Sequence, residues 1–382
     1  MHARPGPGPD RKGVPISEVS HPPRGASEPV PPPEFPAGPW IVVMGMHRSG
    51  TSALTGALGG LGLALPQPGD HWAPEPSNPE HYESLSMVEF DERLFEFLGG
   101  SWDGPPDLPT GWEARADVRA FDDEARRVAR HAYPDDGPLV WKDPRACVLL
   151  PYWRRLLPEP MAAVLMWRTP TEVARSLHQR DGFSPALGTA LWERYNRAAL
   201  DTLEGTQVYV TSYDELLGDP VGLCRALGSW LDSLDGLVAR RGRWDPDRAT
   251  DVVTEDLRHQ GPEPDEWLLD SQADLVDRLH QLSGPHQALP PADLAPPSPW
   301  ATAVLDEHRT TGVLSRRIDT VQEDRQTAEE ANQRLRAANE ELEARSAQSR
   351  RAVQAMRAST SWRLTRPLRS LSAGRSRHQD AR

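Results

Sequence analysis

Lysine, cysteine and long apolar runs are all scarce in this sequence of 382 residues, and each shortage excludes something. The two cysteines, Cys147 and Cys224, are too few for a disulfide framework. Both lie in apolar stretches, which favours buried thiols in a reducing compartment. The longest apolar runs, at residues 41–44 and 161–167, are strand-length and far shorter than the ~20 residues of a membrane span. The N-terminus lacks the apolar segment of a signal peptide, so we expect a cytoplasmic protein.

Basic residues are outnumbered, with 43 against 56 acidic residues and a net charge of -13. This balance argues against nucleic-acid binding, which leaves a basic footprint. The positive charge is concentrated at the end of the chain, where ten arginines from Arg345 onward accompany the single acidic residue Asp380. Only Lys12 and Lys142 are lysines, so a lysine at a motif position is more informative than an arginine. The arginine, proline and alanine richness suggests a GC-rich bacterial source.

The composition divides the chain into three parts. Residues 1–39 contain 12 prolines and no periodic apolar pattern, which predicts a disordered arm. Residues 40–300 form one domain, whose core at 41–231 alternates strand and helix patterns. This alternation predicts an α/β fold with a parallel sheet covered by helices on both faces. Residues 301–382 form a helical tail with an imperfect heptad seam and a basic end, typical of either a weak coiled coil or a solvated single helix.

A glycine-rich loop follows the first predicted strand, in the sequence Gly45-Met46-His47-Arg48-Ser49-Gly50-Thr51-Ser52. Glycines five apart between a strand and a helix form a phosphate cradle, in which backbone N–H groups and the helix N-terminus face the anion. The loop differs from that of nucleotide triphosphatases, because Thr51 stands at the lysine position and the cation comes earlier, at Arg48.

A second motif follows the strand predicted at residues 162–167. Thr169, Pro170 and Glu172 have the pattern of a helix start, so Arg168 is predicted at the carboxyl end of the strand. Ser176 lies two helical turns further on. An arginine fork and a hydroxyl at this spacing can converge on one phosphate.

Together, the two motifs resemble sulfotransferases that use 3′-phosphoadenosine 5′-phosphosulfate (PAPS), in particular the bacterial, carbohydrate-type members with a P-loop. The resemblance covers about residues 41–220 and includes Lys142-Asp143-Pro144-Arg145. It implies a PAPS-dependent enzyme that needs no metal and releases 3′-phosphoadenosine 5′-phosphate. The residues that would contact the 5′-phosphosulfate are Arg48, Ser49, Gly50, Thr51 and Ser52. Those that would contact the 3′-phosphate are Arg168 and Ser176.

In-line transfer of a sulfuryl group needs a base for the proton of the acceptor hydroxyl. His71, His81 and Glu83 follow the loop and are the candidates. Similar bacterial sulfotransferases carry a glutamate at about this place, so Glu83 is preferred and His81 is second. Lys142 ends a strand, where α/β active sites collect. We therefore expect Lys142, with Arg48, to contact the transferring group; the alternative for Lys142 is a structural ion pair.

The acceptor is expected to carry a hydroxyl, on a saccharide or another natural product. Four tryptophans near predicted loops are candidates for its groove: Trp72, Trp102, Trp112 and Trp192. The ending S-x-S-W-R-L-T-x-P-L-R at residues 359–369 resembles tails on bacterial sugar-transferring enzymes of surface-polysaccharide pathways. Trp362 among arginines suits an anionic membrane surface, so peripheral attachment at the inner face of the membrane or self-association is expected of the tail.

Two other functions are compatible with the sequence. The first is a P-loop nucleotide kinase or other phosphotransferase, although Arg168 occupies the strand end at which a kinase would place a metal-binding carboxylate. The second is a non-catalytic nucleotide-binding scaffold that acts through its tail.

Overall fold

Five strands form one sheet at the centre of the protein. The computed structural model describes residues 34–71, 80–234, 250 and 268–364. Along the sheet the strand order is β2-β1-β3-β4-β5. The strands are β1 (Trp40–Met44), β2 (Leu139–Lys142), β3 (Met161–Trp167), β4 (Val208–Ser212) and β5 (Gly284–His286).

The predicted parallel sheet is confirmed for β1 to β4, whereas β5 pairs antiparallel to β4 at the edge. The sequence of β5 is Gly-Pro-His, which has no strand propensity. The segment is a strand because its backbone pairs with that of β4. Its position at the edge of the sheet tolerates the proline.

Helices cover both faces of the sheet, as the strand–helix alternation predicts. In the first half they are α1 (Thr51–Gly60), α2 (Leu85–Phe97), α3 (Ala116–Arg119), α4 (Asp122–Ala132), α5 (Ala146–Arg154) and α6 (Pro170–Asp181). In the second half they are α7 (Pro185–Leu203), α8 (Tyr213–Gly218), α9 (Pro220–Ser233), α10 (Asp270–Gln281), α11 (Pro299–Ala358) and α12 (Thr360–Leu364).

The helical segment between residues 112 and 132 is interrupted. A 3₁₀ turn at Trp112–Ala114 is followed by the separate helices α3 and α4. The break lets Phe121 pack against Phe90 and Phe97 of α2, at ring distances of 6.2 and 5.1 Å. No glycine or proline marks this break, so the sequence gives no local signal of it.

Alternate residues of β1 enter two separate apolar layers. Trp40, Val42 and Met44 pack on the side of α2, α5 and α7, whereas Ile41 and Val43 pack on the side of α1 and α9. Because successive side chains of a strand point to opposite faces, this partition follows directly from the apolar run. The carboxyl edge of the sheet is therefore held rigidly from both sides.

The long helix α11 begins on the domain and then leaves it. Ser298 caps its first turn and Pro299 occupies the first helical position. Ala301 is buried, and His308 pairs with Asp103 at 3.0 Å. The boundary expected at residue 301 thus falls inside a helix whose first turns pack on α7.

Beyond these turns, α11 presents an exposed apolar seam at heptad spacing. Its members, all between 42 and 65% exposed, are Leu314, Ile318, Val321, Leu335, Leu342, Val353 and Met356. Pairs of oppositely charged residues four apart, such as Glu341 and Arg345, support the helix along its length.

Two ends of the chain lie outside the described residues. These are residues 1–33 of the predicted arm and the basic end at 365–382. Among the described residues, no helix is both long and apolar enough for a membrane span.

The close approach of α6 and α7 depends on Gly188. A Cβ atom added there would lie 2.6 Å from the Cα of Ala174, a distance that backbone atoms cannot accommodate without moving. We expect Gly188→Ala to destabilise the protein by about 1–3 kcal/mol, as overpacking does, measured by urea denaturation. The matched control is Gly218→Ala, where the added Cβ atom meets nothing within 4 Å. Equal stability of the two variants would contradict this account of the α6–α7 contact.

Candidate active site

The parallel register places four chain segments at one edge of the sheet. Val43 pairs with Lys142 across β1 and β2, and Met44 pairs with Leu165 of β3. Trp167 of β3 pairs in turn with Ser212 of β4. The glycine-rich loop, Lys142, Arg168 and the start of α8 therefore converge at this edge, although they are distant from one another along the chain. Parallel strands bring their carboxyl ends to the same edge of a sheet, and the polar residues of both motifs lie at that edge.

The loop between β1 and α1 has the backbone of a phosphate cradle. Arg48 and Gly50 adopt left-handed conformations, with φ of 70° and 88°. A Cβ atom at Gly50 would lie 2.2 Å from Cδ2 of Tyr213, so the position excludes any side chain. No side chain caps the N-terminus of α1 at Thr51, which leaves its first N–H groups available to an anion.

Ser49 supports the same interpretation of the loop. Its side chain is fully buried, and its Oγ has no hydrogen-bond partner among the described residues. A buried hydroxyl without a partner is costly in a folded protein. A phosphate or sulfonate oxygen in the loop would supply the missing partner.

The second motif meets the loop directly. Nε of Arg48 donates to Oγ of Ser176 at 2.8 Å, across 128 residues of sequence. Arg168 follows β3, and its guanidinium lies 4.6 Å from the centre of the Tyr213 ring. The structure therefore brings together Arg48, Arg168 and Ser176, and it places the Arg48 guanidinium on the side of Ser176.

Neighbouring groups fix the position of Arg168. Its Nε donates to Glu172 at 3.0 Å, one helical turn into α6. The backbone carbonyl of Arg168 accepts from Nε1 of Trp192 at 2.8 Å. Contacts within the protein thus anchor both the side chain and the backbone of Arg168.

Lys142 lies in a second polar cluster at the same edge. Its ammonium group donates to the Glu83 carboxylate, to Oγ of Ser52 at 3.1 Å and to the His81 carbonyl at 3.1 Å. The Lys142 and Glu83 side chains are only 3% and 9% exposed. The predicted base and the predicted lysine therefore form one buried ion pair, next to Ser52 of the loop.

The charge state of Glu83 reflects two opposing effects. Burial raises the pKa of this carboxyl, but Lys142 and Arg145 lower it by more, so that the pKa lies below its ordinary value. Glu83 is therefore ionised at neutral pH and can accept a proton. His81 contributes its carbonyl to this cluster, and His71 instead binds the Pro66 carbonyl at 2.7 Å.

Two further residues belong to this edge, of which only His47 was not singled out in the sequence. Arg145 follows Lys142 in the β2–α5 turn and binds Asp143 and Glu92 at 3.0 and 2.6 Å. His47 is buried in the loop, where burial and then the nearby Arg145 hold its pKa well below the ordinary value. The histidine stays neutral beside these cations. Its place inside the glycine-rich loop was the one sequence signal available.

Two of the four tryptophans predicted to line the acceptor groove are buried. Trp112 and Trp192 are buried in the core, and Trp72 lies outside the described residues. Trp102 is stacked on Phe183 at 5.8 Å and lies under the Arg180 guanidinium at 5.1 Å. The groove prediction is therefore wrong for Trp112 and Trp192, because their indole rings serve packing.

Among the described residues, neither the thiols nor the acidic residues form a second reactive or metal-binding site. Burial raises the pKa of Cys147 to about 12 and that of Cys224 to about 11, so neither is a reactive thiolate. In the part of the chain that the structure describes, no group of three or more potential ligands is placed to hold a metal ion.

Solved structures similar to this chain include two sulfotransferase domains. No family model matches the chain, and no curated protein matches it. The sulfotransferase domain from the curacin biosynthetic pathway is 15% identical, with a TM-score of 0.36 over 65% of this chain and 98% of that one. The sulfotransferase domain from the olefin synthase of Synechococcus PCC 7002 is 20% identical, with a TM-score of 0.32 over 72% and 95% of the two chains. These TM-scores are too low to support a shared function, which has to be inferred from the site itself.

The buried Lys142–Glu83 pair leads to a stability prediction. Lys142→Met leaves Glu83 without its main counter-charge, and breaking a buried pair in this way costs about 3–5 kcal/mol at neutral pH. In the wild type, the contribution of Glu83 is present above its unfolded pKa and is lost as the pH falls through the lower folded pKa. The loss of unfolding free energy caused by Lys142→Met should therefore become smaller at acid pH, measured by urea denaturation at several pH values.

The control for this experiment is the double variant Lys142→Met with Glu83→Gln, which removes both charges and should recover much of the stability. A deficit that is independent of pH, or a double variant no more stable than Lys142→Met, would contradict the pairing.

Proposed function

We propose that the protein is a sulfotransferase that moves a sulfuryl group from PAPS to the hydroxyl of an acceptor. The observation that carries this proposal is the contact between Arg48 and Ser176 at 2.8 Å. It joins two anion-binding elements, the loop at the N-terminus of α1 and the Arg168–Ser176 motif at the start of α6. PAPS carries phosphate groups at both ends of one ribose, which matches two adjacent cradles.

The charges at this edge suit the chemistry of transfer. The bond between sulfur and the bridging oxygen of PAPS breaks, and its electron pair stays on the phosphate oxygen. The acceptor oxygen forms the new bond to sulfur and releases its proton. Positive groups placed near the leaving oxygen stabilise the charge that develops there. We assign this role to Lys142, Arg48 and the loop N–H groups, and we assign the 3′-phosphate to Arg168 and Ser176.

Glu83 is the proposed base. It is ionised at neutral pH, and it contacts Lys142 beside Ser52 of the loop. An acceptor hydroxyl that approached the transferring group would meet this carboxylate, which can take the proton. His81 is the less favoured base, because it reaches Lys142 through its backbone carbonyl.

The acceptor class is proposed from the resemblance of the tail, and it is a saccharide of a bacterial surface-polysaccharide pathway. The exposed seam of α11 is consistent with a tether to an anionic membrane surface or to a second copy. We propose that this segment locates the enzyme and does not take part in transfer.

Binding of nucleotides tests the proposed function. The wild type should bind 3′-phosphoadenosine 5′-phosphate more tightly than ATP with Mg²⁺ in a calorimeter. Arg168→Ala should lose about 1.5–3 kcal/mol of this binding, the value of a charge-assisted hydrogen bond. The matched control is Arg225→Ala, an exposed arginine on α9. Tighter binding of ATP with Mg²⁺ would favour the kinase alternative, and an unchanged affinity in Arg168→Ala would remove this residue from the site.

Deletion of residues 318–382 tests the role of the tail. The cut leaves the first turns of α11 on the domain, so turnover of PAPS with a soluble saccharide acceptor should stay close to the wild type. Binding to anionic vesicles or self-association should be lost, measured by vesicle sedimentation and light scattering. Each cation near an anionic lipid surface contributes about 1 kcal/mol. A truncated protein that keeps both properties would show that the tail is not a tether.

A further inference from the structure

Two carboxyl groups lie within hydrogen-bonding reach of each other next to the candidate active site. Asp91 lies on α2 and Asp143 lies in the turn after β2, and both are fully buried. Oδ1 of Asp91 accepts from Nε1 of Trp153 at 2.8 Å. Oδ1 of Asp143 accepts from the backbone N–H of Arg145 at 2.8 Å and from its guanidinium at 3.0 Å.

The other oxygen of each group has no donor. Oδ2 of Asp91 and Oδ2 of Asp143 are buried and accept no hydrogen bond from the described residues. The two side chains can form a hydrogen bond with each other, but only if one of them carries a proton. Two facing carboxylates in a dry interior repel each other, so a single shared proton removes both the repulsion and the missing bond.

The hydrogen bonds decide which group holds the proton. Asp143 accepts two bonds from Arg145, one of them from a cation, which favours its ionised form. Asp91 accepts one bond from a neutral indole. Burial and then the charge of Asp143 raise the pKa of Asp91 well above its ordinary value.

We propose that Asp91 carries a proton at neutral pH and donates it to Asp143, which makes Asp91 a positioning residue for the candidate active site. With its second oxygen held in this way, Asp143 keeps Arg145 in place. The Arg145 guanidinium lies 3.9 Å from the Glu83 carboxylate, which in turn binds Lys142. A chain of hydrogen bonds and ion pairs therefore runs from α2 to the lysine at the end of β2.

Infrared spectroscopy tests the protonation directly, and it does not depend on the proposed function. The spectrum of the wild type at neutral pH, minus that of Asp91→Asn, should show the carbonyl band of a protonated carboxyl group. The matched control is Glu89→Gln, an exposed residue of the same helix, whose difference spectrum should lack this band. Absence of the band for Asp91→Asn, or its loss only in Asp143→Asn, would overturn the proposal.

The pH dependence of stability gives a second test. Between the unfolded and folded pKa values of Asp91, the folded protein binds a proton that the unfolded chain does not, so the stability of the wild type falls as the pH rises. Asp91→Asn removes this titration, while its amide can still donate to Asp143 and accept from Trp153. The titratable and charged groups that face Asp91 from other elements are Asp143, Arg145 and Tyr152, and all three remain in the variant.

The stability of the wild type relative to Asp91→Asn should therefore decline as the pH is raised from acid to neutral, measured by urea denaturation. A difference that is constant across this range would overturn the proposal.

Measurement of turnover distinguishes a positioning role of Asp91 from a general effect on stability. Of the three measurements, this one alone rests on the proposed function. Asp91→Asn should keep turnover close to the wild type. Asp91→Ala should lose about tenfold or more, the effect of a displaced catalytic group, with an unchanged affinity for 3′-phosphoadenosine 5′-phosphate. Equal losses in the two variants would overturn the positioning role. If the wild type itself shows no turnover of PAPS, the proposed function fails while the infrared and stability results still decide the protonation.

Discussion

The accumulation of positive charge at one edge of the sheet is the constraint on which the rest of this site depends. Arg48, Lys142, Arg145 and Arg168 follow three neighbouring strands, and like charges this close repel each other in a partly dry environment. The protein compensates with buried carboxylates, each of which serves a particular cation. Glu83 pairs with Lys142, Asp143 pairs with Arg145, and Glu172 pairs with Arg168. These carboxylates hold the cations in place at the edge, next to the N–H groups of the loop.

Much of the fold was predictable because its signals are local. The strand–helix alternation, the glycine-rich loop and the helix start at Pro170 are read from neighbouring residues, and the structure has them within a few positions. The features of the fold that could not be predicted depend on contacts with residues distant in the sequence. The strand β5 exists because β4 offers it a free edge, and the interruption near Phe121 exists because α2 has two aromatic rings in reach. Neither partner is visible from the local sequence.

The candidate site likewise has residues that the sequence reveals and contacts that only the fold reveals. Arg48, Lys142, Arg168 and Ser176 could be selected from motifs, since each lies at a strand end or at a fixed helical spacing. That Glu83 binds Lys142, and that Arg48 reaches Ser176, follows only from the register of the sheet. Asp91 has no motif at all. It lies among apolar residues on the buried face of α2, and only its contact with the β2–α5 turn reveals that it belongs to the site.

A series of ring contacts connects the long helix to the loop. His47 contacts Trp102 at 4.6 Å, Trp102 contacts Phe183 at 5.8 Å, and Phe183 contacts His308 at 5.4 Å. His308 belongs to the docked turns of α11, and the exposed seam continues from the same helix. Because an α-helix rises about 1.5 Å per residue and bends only gently, a partner bound to the seam would be held in a defined direction from the loop. The docked turns of α11 therefore contact the same series of rings that ends at His47 of the loop.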